Sequence, residues 1–299
     1  MQLIFYSMRI FIFSVSFLAL ASLELKGQSF YSARRERSLI LSTGLGTSSY
    51  FGDLANSNAY VQAQPNINVG LEYFLTNRIG ARVELNWFTL AGDDKNANGG
   101  GRDQRNLSFQ SSNFELSAVG IFNLYSKGNR YYRRPNFNVY GFAGIGLLYF
   151  NPKAKDAQGN LVALQPLRTE GAAYSLVTPV IPFGLGVRFK VSPKLNLAVE
   201  GGWRKTFTDH LDDVSTTYPG ASSFTNPIAA AFSDRRVDPG VNGDSGGIRG
   251  NPTNDDGYML LNVKVEYYLP TAFLGNRGNK SGYNRKRKSS QRYKGRRRY

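Results

Sequence analysis

The chain has 299 residues, a formal net charge of +16, one histidine and no cysteine. Without cysteine there is no disulfide framework, no thiolate metal site and no lipoprotein anchor. Glycine (32), phenylalanine (20) and tyrosine (18) are abundant while mean hydropathy is slightly negative, a balance that suits half-apolar strands.

In chain order, the first feature is a secretory signal over residues 1–27. Arg9 precedes the apolar run Ile10–Leu20, and the small residues Ala21, Ser22 and Gly27 follow. Beyond it no apolar run is long enough for a membrane helix, so a membrane crossing would have to use a closed barrel. Eight strands are expected between residues 38 and 269. The first is Ser38–Ser49. The second and third form a hairpin across Asn66–Phe88. In it Ile67, Val69, Leu71 and Tyr73, then Ile79, Ala81, Val83, Leu85 and Trp87, alternate with polar residues around the turn Thr76-Asn77-Arg78. Period-2 alternation over about ten residues gives a strand with two unlike faces, of the length a tilted strand needs to cross a bilayer. The remaining strands are Asn113–Tyr125, Phe137–Phe150, Val180–Val191, Leu195–Lys205 and Tyr258–Leu269.

Connections alternate between short turns and long loops, the outer-membrane pattern. An even strand count puts both termini on the short-turn side, which would be the periplasm. The fold expected is therefore all-β: an eight-stranded antiparallel transmembrane β-barrel over 38–269, followed by a basic tail over 270–299. A soluble β-sandwich would also alternate. Against it stand the signal segment, the strand lengths and the aromatic residues near strand ends (Tyr73, Trp87, Tyr125, Tyr149, Trp203, Tyr267), placed as in interfacial girdles.

Charges divide by face and by side. The polar strand face collects Glu72, Arg82, Glu84, Glu115, Arg188, Glu200, Arg204, Lys264 and Glu266. Mixed signs inside an eight-stranded barrel can pair and plug it. The short-turn side and tail together carry twenty Lys/Arg against the single Glu36, and the long loops are net acidic. The tail, rich in Arg285, Lys286, Arg287, Lys288, Arg296, Arg297 and Arg298, has almost no apolar content and should be disordered alone. In an intracellular protein such a segment would read as a nucleic-acid arm. In a secreted barrel, an acidic periplasmic protein or the anionic lipid of the outer membrane is the better partner. Arg130, Arg133 and Arg134 flank the same surface and are expected to join it.

Candidate chemistry is sparse. His210 and Ser215 sit five apart just beyond the seventh strand, and a Ser-His-acid set at a barrel rim can hydrolyse lipid. Asp94-x-Asn96-x-Asn98-Gly99 matches half of a calcium loop, but the closing Glu position holds Arg105. No phosphate loop, nucleotide fingerprint or zinc set is present.

Two stretches carry a family resemblance: Tyr50-Phe51-Gly52-Asp53-Leu54, and Thr206 to Tyr218 with Asp209, Leu211, Asp212 and Asp213. With Pro182 to Phe189 before the second, they resemble the PorG-like outer-membrane β-barrel proteins of Bacteroidota. The resemblance implies an accessory outer-membrane part of the type IX protein-secretion machinery that contacts a periplasmic ring. It implies no enzymatic activity and no cofactor, and makes the acidic motif a structural signature. The basic tail has no counterpart in it. The function expected is thus a structural or docking component of a secretion assembly. A small-ligand or transport barrel and a lipid hydrolase are the alternatives.

Overall fold

The computed structural model describes residues 39–55, 63–96, 102–127, 133–237 and 245–269. The expected signal segment and basic tail, and Arg130, lie outside the described residues. Among the described residues there are ten strands: β1 (Leu39–Phe51), β2 (Gln64–Phe74), β3 (Ile79–Asp93), β4 (Ser108–Asn123), β5 (Phe137–Tyr149), β6 (Pro152–Lys155), β7 (Leu161–Ala163), β8 (Val177–Lys190), β9 (Leu195–Thr206) and β10 (Gly257–Leu269).

Eight of them close into a ring. Each pairs antiparallel with its sequence neighbour among β1, β2, β3, β4, β5, β8, β9 and β10, and β1 pairs with β10 to complete the circle. The expected hairpin stands in the register its turn dictates, with Ile67 opposite Trp87 and Glu72 opposite Arg82. Within that turn the Thr76 hydroxyl accepts the Arg78 and Ile79 amides at 3.2 and 2.9 Å, which fixes the reversal locally.

Pleating sends alternate side chains in and out. Outward come Leu45 (66% exposed), Ile145 (71%), Leu185 (68%) and a continuous apolar wall on every strand of the ring. Of the outward strand positions only Asp93 and Lys205 carry charge, and both lie at the long-loop rim. Aromatic residues gather near the two edges of this wall. Tyr73, Phe137, Phe189 and Tyr267 lie by the short turns, and Trp87, Phe114, Tyr149 and Trp203 by the long loops.

The long connections are folded rather than loose. The third carries the small hairpin β6–β7, whose β6 extends the sheet beside β4. The fourth carries a short helix, Pro227–Ser233, started by Asn226, whose side chain accepts the Ile228 amide at 2.9 Å. Neither element is expected from the strand pattern. Together the loops build an apolar core over the barrel mouth from Leu54, Leu107, Leu211 and Val214, packed on Tyr50, Phe88, Leu148 and Tyr258 of the strands.

Candidate functional site

Inside the ring, the nine charged residues of the polar strand face all converge in the lumen, each no more than 4% exposed. They form three tiers. Nearest the short turns, Arg188 bridges Glu72 (2.7 Å) and Glu266 (2.6 Å). In the middle, Lys264 Nζ lies 2.7 Å from both Glu84 and Glu200, and Arg82 pairs with the same two acids at 2.9 and 2.7 Å. Toward the loops, Glu115 meets Arg204 at 3.4 Å and accepts the Tyr258 hydroxyl at 2.7 Å. Removing charges from water is costly, and these pairs offset that cost only because each acid has a cation or donor at contact distance. Together the three tiers occupy the lumen.

The short-turn mouth is closed by Arg134. Its guanidinium lies 4.4 Å from the Tyr268 ring centroid. It donates to Asn196 Oδ1 (2.8 Å) and to the carbonyls of Pro193 (2.7 Å), Ser192 (2.8 Å) and Leu195 (3.0 Å). Asn196 in turn donates to Glu266 at 2.9 Å. Lys127 covers the other side of the mouth, its ammonium 4.1 Å from the Phe74 ring. Arg134 is therefore a plug and not a surface cation, which corrects its assignment to a docking surface. Its four carbonyl and amide partners consume the donors a partner would need. Arg133 remains exposed. Arg285, Lys286, Arg287, Lys288, Arg296, Arg297 and Arg298 lie outside the described residues.

At the opposite end the loops are clamped by two arginines. Arg105 donates to Asp94 (2.7 and 2.8 Å) and to the carbonyls of Arg249 (2.6 Å) and Asp53 (2.9 Å), tying three loops together. Asp94 also accepts Arg102 Nε and the Leu107 amide. The first carboxylate of the half calcium loop, Asp94, is fully buried on two guanidinium groups. Arg249 pairs with Glu170 at 2.7 Å and donates to the Asp213 carbonyl. Glu170 accepts the Ser215 and Thr216 amides. Burial opposes ionisation of Glu170, yet Arg249 and these amides hold it below its ordinary value.

The acidic motif of the fourth loop threads this cap. Leu211 is fully buried in the apolar core. Asp212 accepts the Leu54 amide at 3.0 Å and the Val214 amide at 2.9 Å. Asp213, in the left-handed region at φ 67°, accepts the Tyr174 hydroxyl at 2.7 Å and the Thr169 hydroxyl. Asp209 is half-buried beside Asp53 and is pushed up to about 7 by burial and those neighbouring acids. Gly52 is required here by close approach: a Cβ at that position would stand 1.8 Å from Asp256 Oδ1 and 2.0 Å from Tyr50 Oη. The two motif stretches therefore meet in space, as their pairing of β1 with β10 next to β9 allows.

The hydrolase pair is not assembled. The His210 ring stacks on Tyr174 with centroids 4.7 Å apart, Ser215 is buried against Asp209, and among the described residues no hydrogen bond joins His210 to Ser215. Burial also lowers the His210 pKa. Among the described residues no group of three or more His, Asp or Glu is arranged to hold a metal ion.

The molecule is an up-and-down antiparallel eight-stranded β-barrel with a charge-filled lumen and a folded cap at its long-loop end. Its sequence matches the family described as a domain of unknown function, DUF6089, over residues 30–226, and the chain belongs to that family. No curated protein matches it. Among solved structures it is similar to the attachment invasion locus protein Ail of Yersinia pestis, at 10% identity and a TM-score of 0.40 over 78% of this chain and 99% of that one. Neisserial surface protein A gives 9% identity and a TM-score of 0.41 over 77% and 97%. A major outer membrane protein from Thermus thermophilus gives 14% identity and 0.40 over 79% and 100%.

Proposed function

We propose that the protein spans the outer membrane and acts there as a non-enzymatic structural or docking component of a protein-secretion assembly. The observation that carries the membrane placement is the outward wall. Leu, Ile, Val and aromatic side chains cover every strand of the ring, with charge only at one rim. Soluble proteins rarely expose apolar patches beyond a few hundred Å², and closure of the sheet leaves no unpaired edge for lipid to meet. The two aromatic edges fit the two membrane interfaces.

On this reading the short turns and both termini face the periplasm, and the cap faces outward. The filled lumen leaves the ends of the barrel to carry function. The side that holds Arg133 and the polybasic tail suits an acidic periplasmic partner, and membrane lipid surrounds the wall. The resemblance to PorG-like proteins supports the type IX secretion assembly as the setting. Exposed ion pairs are individually weak, so such docking depends on many together and weakens with salt. Pull-downs from native membranes, comparing the full chain with one ending at Leu269, test it. The full chain should recover an acidic periplasmic protein at low salt, and lose it at high salt and on truncation. Equal recovery under all three conditions contradicts the reading.

A further inference from the structure

The cap holds two kinds of buried acid. Asp94, Glu170 and Asp213 each have an arginine side chain within 4 Å. Asp212 and Asp256, each 1% exposed, have none among the described residues. They meet instead at the hydroxyl of Tyr50, itself 3% exposed. Tyr50 Oη donates to Asp256 Oδ1 at 2.7 Å. Asp212 faces the same hydroxyl, and a phenol with one proton to give can serve only one of the two carboxylates at a time. The remaining carboxylate oxygens take backbone amides. Asp256 Oδ2 accepts Leu211 at 2.9 Å, while Asp212 holds Leu54 and Val214. The pair thus pins the first loop and the fourth to each other and to the end of β1.

The charges around it make the problem worse. Asp53 of the first loop faces Asp212, and Asp209 of the fourth faces Asp256. Arg105 of the second loop, whose charge Asp212 feels, is committed to Asp94 and two carbonyls. Two ionised carboxylates sharing a dry site without a facing cation repel each other, and the usual resolution is that one keeps its proton. We propose that Tyr50, Asp212 and Asp256 form a proton-operated latch, which holds the loop cap shut in acid and lets it open as the external pH rises.

The direction follows from the closed state. Burial pushes Asp212 up to about 7, and burial with the Asp212 charge pushes Asp256 well above its ordinary value. In an opened cap both return toward the usual aspartate value near 4. Between about pH 4 and about pH 7 the closed cap therefore holds a proton that the open cap has lost. Closure is fully favoured below that window and weakens through it, by up to about tenfold in the opening constant per pH unit for one proton.

Hydrogen exchange at the Leu54, Leu211 and Val214 amides reads this opening directly. It would be measured on the full chain in detergent micelles from pH 4.5 to 8, with each rate divided by its intrinsic rate. The opening constant of the wild type should rise by up to about tenfold per pH unit between pH 5 and 7. Asp256→Asn, which removes one carboxyl, should flatten that slope. Tyr50→Phe, which keeps both carboxyls, should raise opening at every pH and retain the slope. An opening constant that is flat or falls with pH in the wild type overturns the latch, even if Asp256→Asn does not fold. A folded Asp256→Asn with the full wild-type slope overturns it equally.

Discussion

The lumen and the cap solve the same problem in opposite ways. Both bury several carboxylates within one small protein. In the lumen every acid meets a cation or donor across the ring: Glu84 and Glu200 share Lys264 and Arg82, and Glu72 and Glu266 share Arg188. In the cap, Asp212 and Asp256 meet backbone amides and a tyrosine instead. Strand pairing explains the contrast. A closed ring brings inward side chains face to face at fixed heights, so opposite charges can be placed in tiers. Loops offer backbone amides but no repeating face, so Asp212 and Asp256 bind backbone where no arginine reaches them. Ion pairs fill the lumen, whereas the amide-bound carboxyls of the latch make the cap the part that answers to pH.

This contrast sets the order of expected effects. Lys264→Met leaves Glu84 and Glu200 to share Arg82 as their one remaining cation in the buried lumen, and unfolding of the barrel by urea in detergent should show a loss of about 3–5 kcal/mol. Leu211→Ala removes a fully buried side chain from the cap core. It should cost about 2–5 kcal/mol there, seen as faster proteolysis of the fourth loop while the barrel's own unfolding is unchanged. If both variants lowered barrel stability alike, lumen and cap would be one cooperative unit and the comparison would fail. Arg134→Ala unplugs the short-turn mouth and leaves the buried Asn196 side chain without its arginine donor, for about 1–3 kcal/mol, and should admit a small water-soluble probe to the lower lumen. The smallest effect belongs to Lys205→Ala. Its pair with Asp255, at 3.8 Å with both partners well exposed, should contribute less than about 1 kcal/mol.

The barrel was legible because alternation is a geometric signal. Ile67 to Tyr73 and Ile79 to Trp87 face outward in the structure, and Glu72, Arg82 and Glu84 face the lumen. The same period placed all nine charges on one face without showing which would pair, since Arg82 and Glu200 are 118 residues apart. Arg134 was misread because it stands in a basic turn among exposed-looking neighbours. Only Asn196 and the bend at Pro193, distant in sequence, reveal it as a plug. The cap was illegible for a related reason: Arg105, Asp94 and Arg249 are brought together by loops that carry no period. One signal was available. Asn226-Pro227 ahead of Ile228 and three alanines marks a capped helix start.

The proposed placement buries the wall in lipid with the long loops outside. The absence of native cysteine makes that directly measurable by single-cysteine labelling in intact cells with a membrane-impermeant maleimide. Ser223→Cys, on the cap, should label at once. Arg78→Cys, in the short hairpin turn, should label only after the outer membrane is permeabilised. Labelling of both residues in intact cells, or of Arg78→Cys alone, would contradict it.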